Sequence, residues 1–341
     1  MNKFFAKATT YVSAFLLASG LAATNSAFSE SDITTQKIDY SKVNLRVGAA
    51  SFENAYGLLE AAGNADTPYK VDFRILQGGN LVLEAIAANQ LDLGTGSQIP
   101  PISASQASNG GNFKIIAVRE THILDQELIV GRDTGIKDVK ELKGKKVGYV
   151  KNTTAHYFLK KILEQHGLEW SDIDAIALTT ADGLTAILTG EIDALASYGN
   201  AIVSAKLRGA KTLQTAEGIL SGDFYWEATP DAINDPSYHA AIVDFLKRYN
   251  DAAEWARQNP EAYSKYVAKS TGQEYQIVYD QFIAGTKQRP VRVVPISQRT
   301  IDSEQDIINT FHSLGVLKEK IDANILYDRS FDKEVGTFKR Y

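Results

Sequence analysis

Three short runs of small polar residues, each between an apolar stretch and a helical pattern, carry most of the chemistry this chain offers. They are Ala50-Ser51-Phe52, Gly96-Ser97-Gln98 ahead of Ile99-Pro100-Pro101, and Asn152-Thr153-Thr154 ahead of His156. The first turn of a helix leaves backbone N–H groups unbonded and carries the positive end of the helix dipole, so a helix start facing a cleft binds anions. Proline suits that turn because the N–H it lacks has no helical partner there, and Ser, Thr or Asn can cap it. For any one junction taken singly, ordinary helix capping is the better account. Three of them, all after strands, point to a shared anion site in the crevice at the strand carboxyl ends. His156 fits two roles, a donor to that anion or a histidine on a helix surface.

Other chemistry finds little support. The serine of Gly94-Thr95-Gly96-Ser97-Gln98 lacks the glycine two residues later that a nucleophile elbow requires. No P-loop, H-E-x-x-H, EF-hand loop or G-x-G-x-x-G occurs. The histidines at 122, 156, 166, 239 and 312 lack ligand spacing, and there is no cysteine. We therefore expect no catalysis, no metal and no cofactor; a secreted hydrolase is the enzymatic alternative.

The elements that must position these junctions alternate. VNLRVGA (43–49) reads as a strand, the stretch with Tyr56, Leu58, Leu59 and Ala62 as a helix, and YKVDFRIL (69–76) as a strand. Gly78-Gly79 opens the helix LVLEAIAAN, which ends at Asn89 before the strand LDLGTG. The same order returns in KKVGYV (145–150), TAHYFLKKILEQHG, DAIALT, ADGLTAILTG and EIDALAS. Such alternation predicts an α/β fold with largely parallel sheets. An internal repeat supports two similar halves: Ala85-Ile86 and Gln90-Leu91-Asp92 recur as Ala186-Ile187 and Glu191-Ile192-Asp193, offset by 101 residues. Asp92 and Asp193 read as structural residues at strand starts. From about Pro230 the chain is mostly amphipathic helix, a layer expected on the first lobe. That layer makes the chain pass between lobes twice, near residues 121–127 and 222–228, as a hinge.

Composition narrows the setting. Lys3 and Lys7 precede the apolar run Thr10 to Ala23 and a small-residue site ending Ala27-Phe28-Ser29, the pattern of a cleaved secretory signal peptide over residues 1–29. Its removal leaves 34 basic against 41 acidic residues, a net charge of about −7 without basic runs, so nucleic acid is not an expected partner. The sole methionine is Met1, so the mature chain would contain no sulfur. Drift accounts for this, as does economy in a protein made when sulfur is scarce.

Several segments carry a family resemblance: LEAIAANQLDLGTGSQIPPISA, IKDVKELKGKKVGYVKNTTAHYFLKKILEQHGLEWSDI, LTAILTGEIDALASYGNAIVSA, GDFYWEA and KQRPVRVVPIS. In this order the chain resembles the periplasmic substrate-binding proteins of ABC importers in the nitrate, sulfonate and taurine group, most closely those for aliphatic sulfonates. The resemblance implies a type II periplasmic binding protein fold, two α/β lobes joined by a two-stranded hinge, with residues 30–124 and 225–341 in lobe 1 and 125–224 in lobe 2. It implies a monomer in the periplasm that closes on a small organic anion, a sulfonate or sulfate ester, and delivers it to a membrane permease for sulfur supply. Taurine, nitrate, bicarbonate or a pyrimidine vitamin precursor are alternative ligands.

The expected ligand contacts are Ser51, Phe52, Ser97, Gln98, Thr153, Thr154, His156, Tyr198, Asn200, Tyr225, Trp226 and Glu227. Two departures from the sulfonate pattern bear on the ligand. The family commonly has aspartate before the two prolines, where Gln98 stands, and Trp-Asp where this chain has Tyr198-Gly199-Asn200. Loss of negative charge there disfavours an ammonium-bearing ligand such as taurine, unless Glu227 restores a carboxylate. Phe52, Tyr198, Phe224, Tyr225 and Trp226 are candidates for an apolar wall and, equally, for core.

Overall fold

A strand followed by a helix, then the next strand, recurs twice along the chain and builds two sheets. The computed structural model describes residues 38–50, 55–76 and 78–339. Ser51, Phe52 and the signal segment lie outside them. In order come β1 (Asn44–Ala49), α1 (Tyr56–Ala61), β2 (Lys70–Ile75), α2 (Gly79–Ala87), β3 (Leu93–Ser97), α3 (Ile99–Ala104) and β4 (Lys114–Glu120). The second stretch holds β5 (Gln126–Val130), β6 (Lys146–Tyr149), α4 (Thr154–Gln165), β7 (Asp174–Ala177), α5 (Thr180–Thr189), β8 (Ala194–Tyr198), α6 (Asn200–Leu207) and β9 (Lys211–Thr215). Then follow β10 (Asp223–Ala228), α7 (Pro230–Asn234), α8 (Pro236–Gln258), α9 (Pro260–Thr271), α10 (Tyr275–Gln288), β11 (Arg292–Val294), α11 (Gln298–Ser313) and α12 (Asp332–Val335).

The first sheet runs β11-β4-β10-β3-β1-β2 and the second β7-β6-β8-β5-β9. Without β11, the first reads β2-β1-β3-β10-β4, the order of the second. In each, one strand pairs in parallel with two others, β1 with β2 and β3, β6 with β7 and β8. The repeated aspartates explain the match. Asp92 accepts from the Arg46 N–H at 2.8 Å, and Asp193 from the Lys146 N–H at 2.9 Å, so each carboxylate ties the start of its strand to the central one. Asp92 also takes the Arg46 guanidinium, with Nε at 3.0 Å. Asp92→Ala should therefore cost about 2 kcal/mol, because a largely buried charge-assisted pair is lost, and Asp193→Ala about 1 kcal/mol. Urea unfolding of both variants checks this; equal losses would show that the Arg46 pair adds nothing.

The chain leaves the first sheet after Glu120, enters the second at Gln126, and returns over residues 216–222, earlier than the expected 222–228. Asp223 already belongs to β10, which pairs with both β3 and β4. Apolar faces dictate the layers. Trp226, Phe245, Leu246 and Tyr249 bury one face of the first sheet under α1 and α8, and α9 packs beside them. The opposite face carries α2 and α11, and its core continues into the α4 side of the second sheet. Close packing of α2 depends on Gly94, where a Cβ would fall 2.5 Å from Val82. The tail is thus more than a layer on one sheet. Helix α11 also meets α4, where Asp306 accepts from the Tyr157 hydroxyl at 2.6 Å and pairs with Lys161 at 2.9 Å.

Candidate functional site at the strand carboxyl ends

Four expected residues come together where β6 and β8 end. Thr153 caps α4, its hydroxyl accepting from the Ala155 N–H at 3.2 Å and donating to the Val150 carbonyl at 2.7 Å. Thr154, the first residue of the helix, donates its hydroxyl to Gln126 Oε1 at 2.6 Å. Tyr198 ends β8 opposite Gln126 and lies within hydrogen-bonding reach of Thr153; burial pushes its phenol up, against the pull of that hydroxyl. Asn200 opens α6 and is exposed. Because β6 and β8 are neighbours, α4 and α6 begin side by side. No hydrogen bond among the described residues takes up the backbone N–H of Thr154 or Asn200. The arrangement thus leaves backbone N–H donors at the starts of α4 and α6, while the hydroxyls of Thr153 and Thr154 donate within the protein.

On the first sheet the matching junction pairs the starts of α2 and α3. A Cβ at Gly79 would fall 2.8 Å from Pro100. Ser97, half-buried at the end of β3, sits at this edge.

Gln98 behaves otherwise than expected. It is buried, its amide nitrogen donating to the Tyr225 hydroxyl at 3.1 Å and to Ser303 and Glu304 at 3.2 Å. Its Oε1 accepts from Ser221 at 2.7 Å. Its amide bonds within the protein, where Gln98 joins β3, the returning crossing and α11. Glu304 brings a carboxyl group to this position, but burial raises its pKa to about 8, so no negative charge is restored there at neutral pH. Sequence reasoning missed Glu304 although a signal exists: Thr300, Ile301, Glu304, Ile307, Ile308 and Phe311 form the buried stripe of α11, with an acid in its middle. Gln126 was missed as well, because its pairing with Tyr198 is antiparallel and long-range.

The expected aromatic wall is also corrected. Neighbouring residues of a strand face opposite sides. Tyr225 thus points to α11, hydrogen-bonded to Glu304 at 2.8 Å and Tyr327 at 3.0 Å, while Trp226 packs edge-on against Phe245 and Tyr249. Phe224 lies under the Arg119 guanidinium. Glu227 is buried against Gly94 and Gly96 with neither oxygen bonded among the described residues. Desolvation raises its pKa well above the usual carboxylate range, so it is a neutral acid rather than a replacement charge.

His156 is core, not a charged donor. Its ring packs within 5.2 Å of Tyr149, Trp170 and Phe311, and its Nδ1 accepts from the Asn152 N–H at 3.4 Å. Burial, reinforced by Lys151, lowers its pKa to about 4. It lines a cavity of about 310 Å3 together with Tyr149, Lys151, Asn152, Trp170 and the turn from Leu314 to Val316. This cavity adjoins the start of α4.

The NMT1/THI5-like family profile matches residues 70–263, more than half of the chain. The chain belongs to the NMT1/THI5-like family. Among its relatives, the putative aliphatic sulfonates-binding protein of Escherichia coli (strain K12) is 26% identical over 255 residues, 74% of this chain and 77% of that protein. The crystal structure of the periplasmic aliphatic sulphonate binding protein from Escherichia coli superposes with a TM-score of 0.75 at 22% identity, over 84% of this chain and 92% of that one. A desulfurization enzyme, solved as a cysteine-to-serine mutant with biphenyl-2-sulfinic acid, superposes at 0.63 and 15% identity over 86% and 98%. This family member therefore has the periplasmic binding protein fold, with its two related sheets and mixed helical layers.

Proposed function

We propose that the protein is the periplasmic binding component of an ABC importer for an organosulfonate or sulfate ester, acting without catalysis. The observation that carries this reading is the pair of adjacent helix starts at the ends of β6 and β8, with Thr153, Thr154, Tyr198 and Gln126 around free N–H groups. Such groups bind an anion by charge-assisted hydrogen bonds. Beside them, the cavity lined by Tyr149, Lys151, Asn152, His156 and Trp170 offers aromatic edges within a mostly polar lining, which suits a polar or aryl tail. The two sheets act as lobes, and closure about the crossings 121–125 and 216–222 buries the anion and presents a changed surface to the permease. The protein works as a monomer.

Sulfonate-binding relatives support the ligand class, and a chain without cysteine or any methionine beyond Met1 suits a protein made under sulfur limitation. With no thiol, the chain cannot perform a cysteine-dependent reaction such as the mutated residue of the desulfurization enzyme would suggest. A melting-temperature screen of alkyl sulfonates, aryl sulfonates, sulfate esters, taurine, nitrate, bicarbonate and pyrimidine vitamin precursors tests the reading. At a hundred-fold excess over Kd a true ligand adds about 2.7 kcal/mol. We expect a rise with alkyl or aryl sulfonates and none with taurine; a rise only with nitrate, bicarbonate or the pyrimidines rejects the sulfonate assignment.

A further inference from the structure

A second cationic feature lies away from the helix starts of α4 and α6. On the α8 side of the first sheet, a cavity of about 80 Å3 is lined by Arg119, Thr121, His122, Tyr249, Arg257 and Arg289, among others. Arg119 lies near the end of β4, and Thr121 and His122 begin the crossing to the second sheet. Two of the arginines have acidic partners. Arg289 pairs with Glu120 at 2.7 Å and Asp223 at 3.0 Å, and Arg257 pairs with Glu254.

Arg119 makes no ion pair among the described residues, and the buried acid whose field it feels, Glu227, is pushed toward its neutral form by desolvation. It is 7% exposed, its Nε has no hydrogen-bond partner among the described residues, and its guanidinium donates to the Tyr249 hydroxyl at 3.4 Å and lies over the face of Phe224 at 4.7 Å. The buried Nδ1 of His122 is also unpartnered among the described residues, and the ring sits where any Cβ at Gly285 would collide with it. Arginine side chains stay protonated in proteins, and a buried charge without a counter-charge is strongly destabilising. An anion in the cavity removes that cost. The small, arginine-lined space suits a compact anion better than a long organic sulfonate.

We propose that this cavity binds a small monovalent inorganic anion, chloride being the simplest, held between the Arg119 guanidinium and the His122 ring. Arg257 and Arg289 add positive field around it, and the bound ion joins the end of β4 and the first crossing to α8 and α10.

Bromide is the probe for a crystallographic test. Crystals of the whole protein soaked in sodium bromide should show an anomalous peak inside the cavity, about 3.5 Å from the Arg119 guanidinium. In solution, replacing gluconate by chloride at constant ionic strength should raise the melting temperature saturably in the wild type and not in Arg119→Met, which keeps a long side chain without the charge. Absence of a peak in the cavity overturns the proposal, as does an equal chloride-dependent rise in both proteins. Should Arg119→Met fail to fold, the bromide map of the wild type decides.

Discussion

Replacing Thr154 by proline lowers the affinity for an alkanesulfonate by roughly ten- to a hundred-fold while the melting temperature moves by only about 2 °C. Thr154 is the first residue of α4, where proline is at home, and Thr153 before it is extended at φ −132° and ψ 178°, the conformation a following proline demands. The helix therefore stays. What disappears is the Thr154 N–H, free among the described residues, and the hydroxyl that donates to Gln126. A hydrogen bond to a charged group contributes about 1.5–3 kcal/mol, and each 1.4 kcal/mol is about ten-fold in Kd. Isothermal titration of wild type and Thr154→Pro reads the difference. Unchanged affinity in a folded variant removes the start of α4 from the binding site.

Stability should fall as pH rises from 6.5 to 8, and Glu304→Gln should remove about 2 kcal/mol of that fall. Burial between Tyr225, Gln98 and Tyr327 raises the pKa of Glu304 from 4.5 to about 8. The native protein therefore holds a proton that the unfolded chain has released, so the contribution is complete below pH 4.5 and is lost as pH rises toward 8. His156 acts in the opposite sense. Its pKa of about 4 makes the unfolded chain the better proton binder below 6.5, so stability is lost as pH falls from 6.5 to 4. Above 6.5 the histidine slope is exhausted, and Glu304 contributes a loss of about 2 kcal/mol by pH 8 at 1.36 kcal/mol per unit, to which the other buried acid, Glu227, adds a fall of the same sign. Glutamine keeps an acceptor for Gln98 and Tyr225 but does not titrate. Urea unfolding at pH 6.5 and 8 separates the two proteins; parallel losses would mean that Glu304 is ionised in the native state.

Both predictions join a local feature that was legible in the sequence to a distant partner that was not. The cap at Thr153 and the free first turn of α4 follow from residue types alone, whereas Gln126 reaches Thr154 only through the antiparallel pairing of β5 with β8. Gln98 was visible as a turn residue before two prolines. Its burial depends on Glu304, 206 residues away. The acid in the apolar stripe of α11 was there to be read, yet periodicity does not say which buried groups it will meet.

By itself the sequence determined the alternation of strands and helices, the repeat that places Asp92 and Asp193 in equivalent sheet positions, and the helix starts that can hold an anion. These rest on short-range physics: side-chain periods of two and 3.6, capping, and the fixed φ of proline. The tertiary structure alone decided that Tyr225, Trp226, Glu227 and His156 are interior, that Gln98 is buried against Tyr225 and Glu304, and that α11 joins the first sheet to α4. Those outcomes depend on which layers cover which face and on how far burial shifts a charge. Such effects arise between residues far apart in the chain, so they appear only when the sheets are packed.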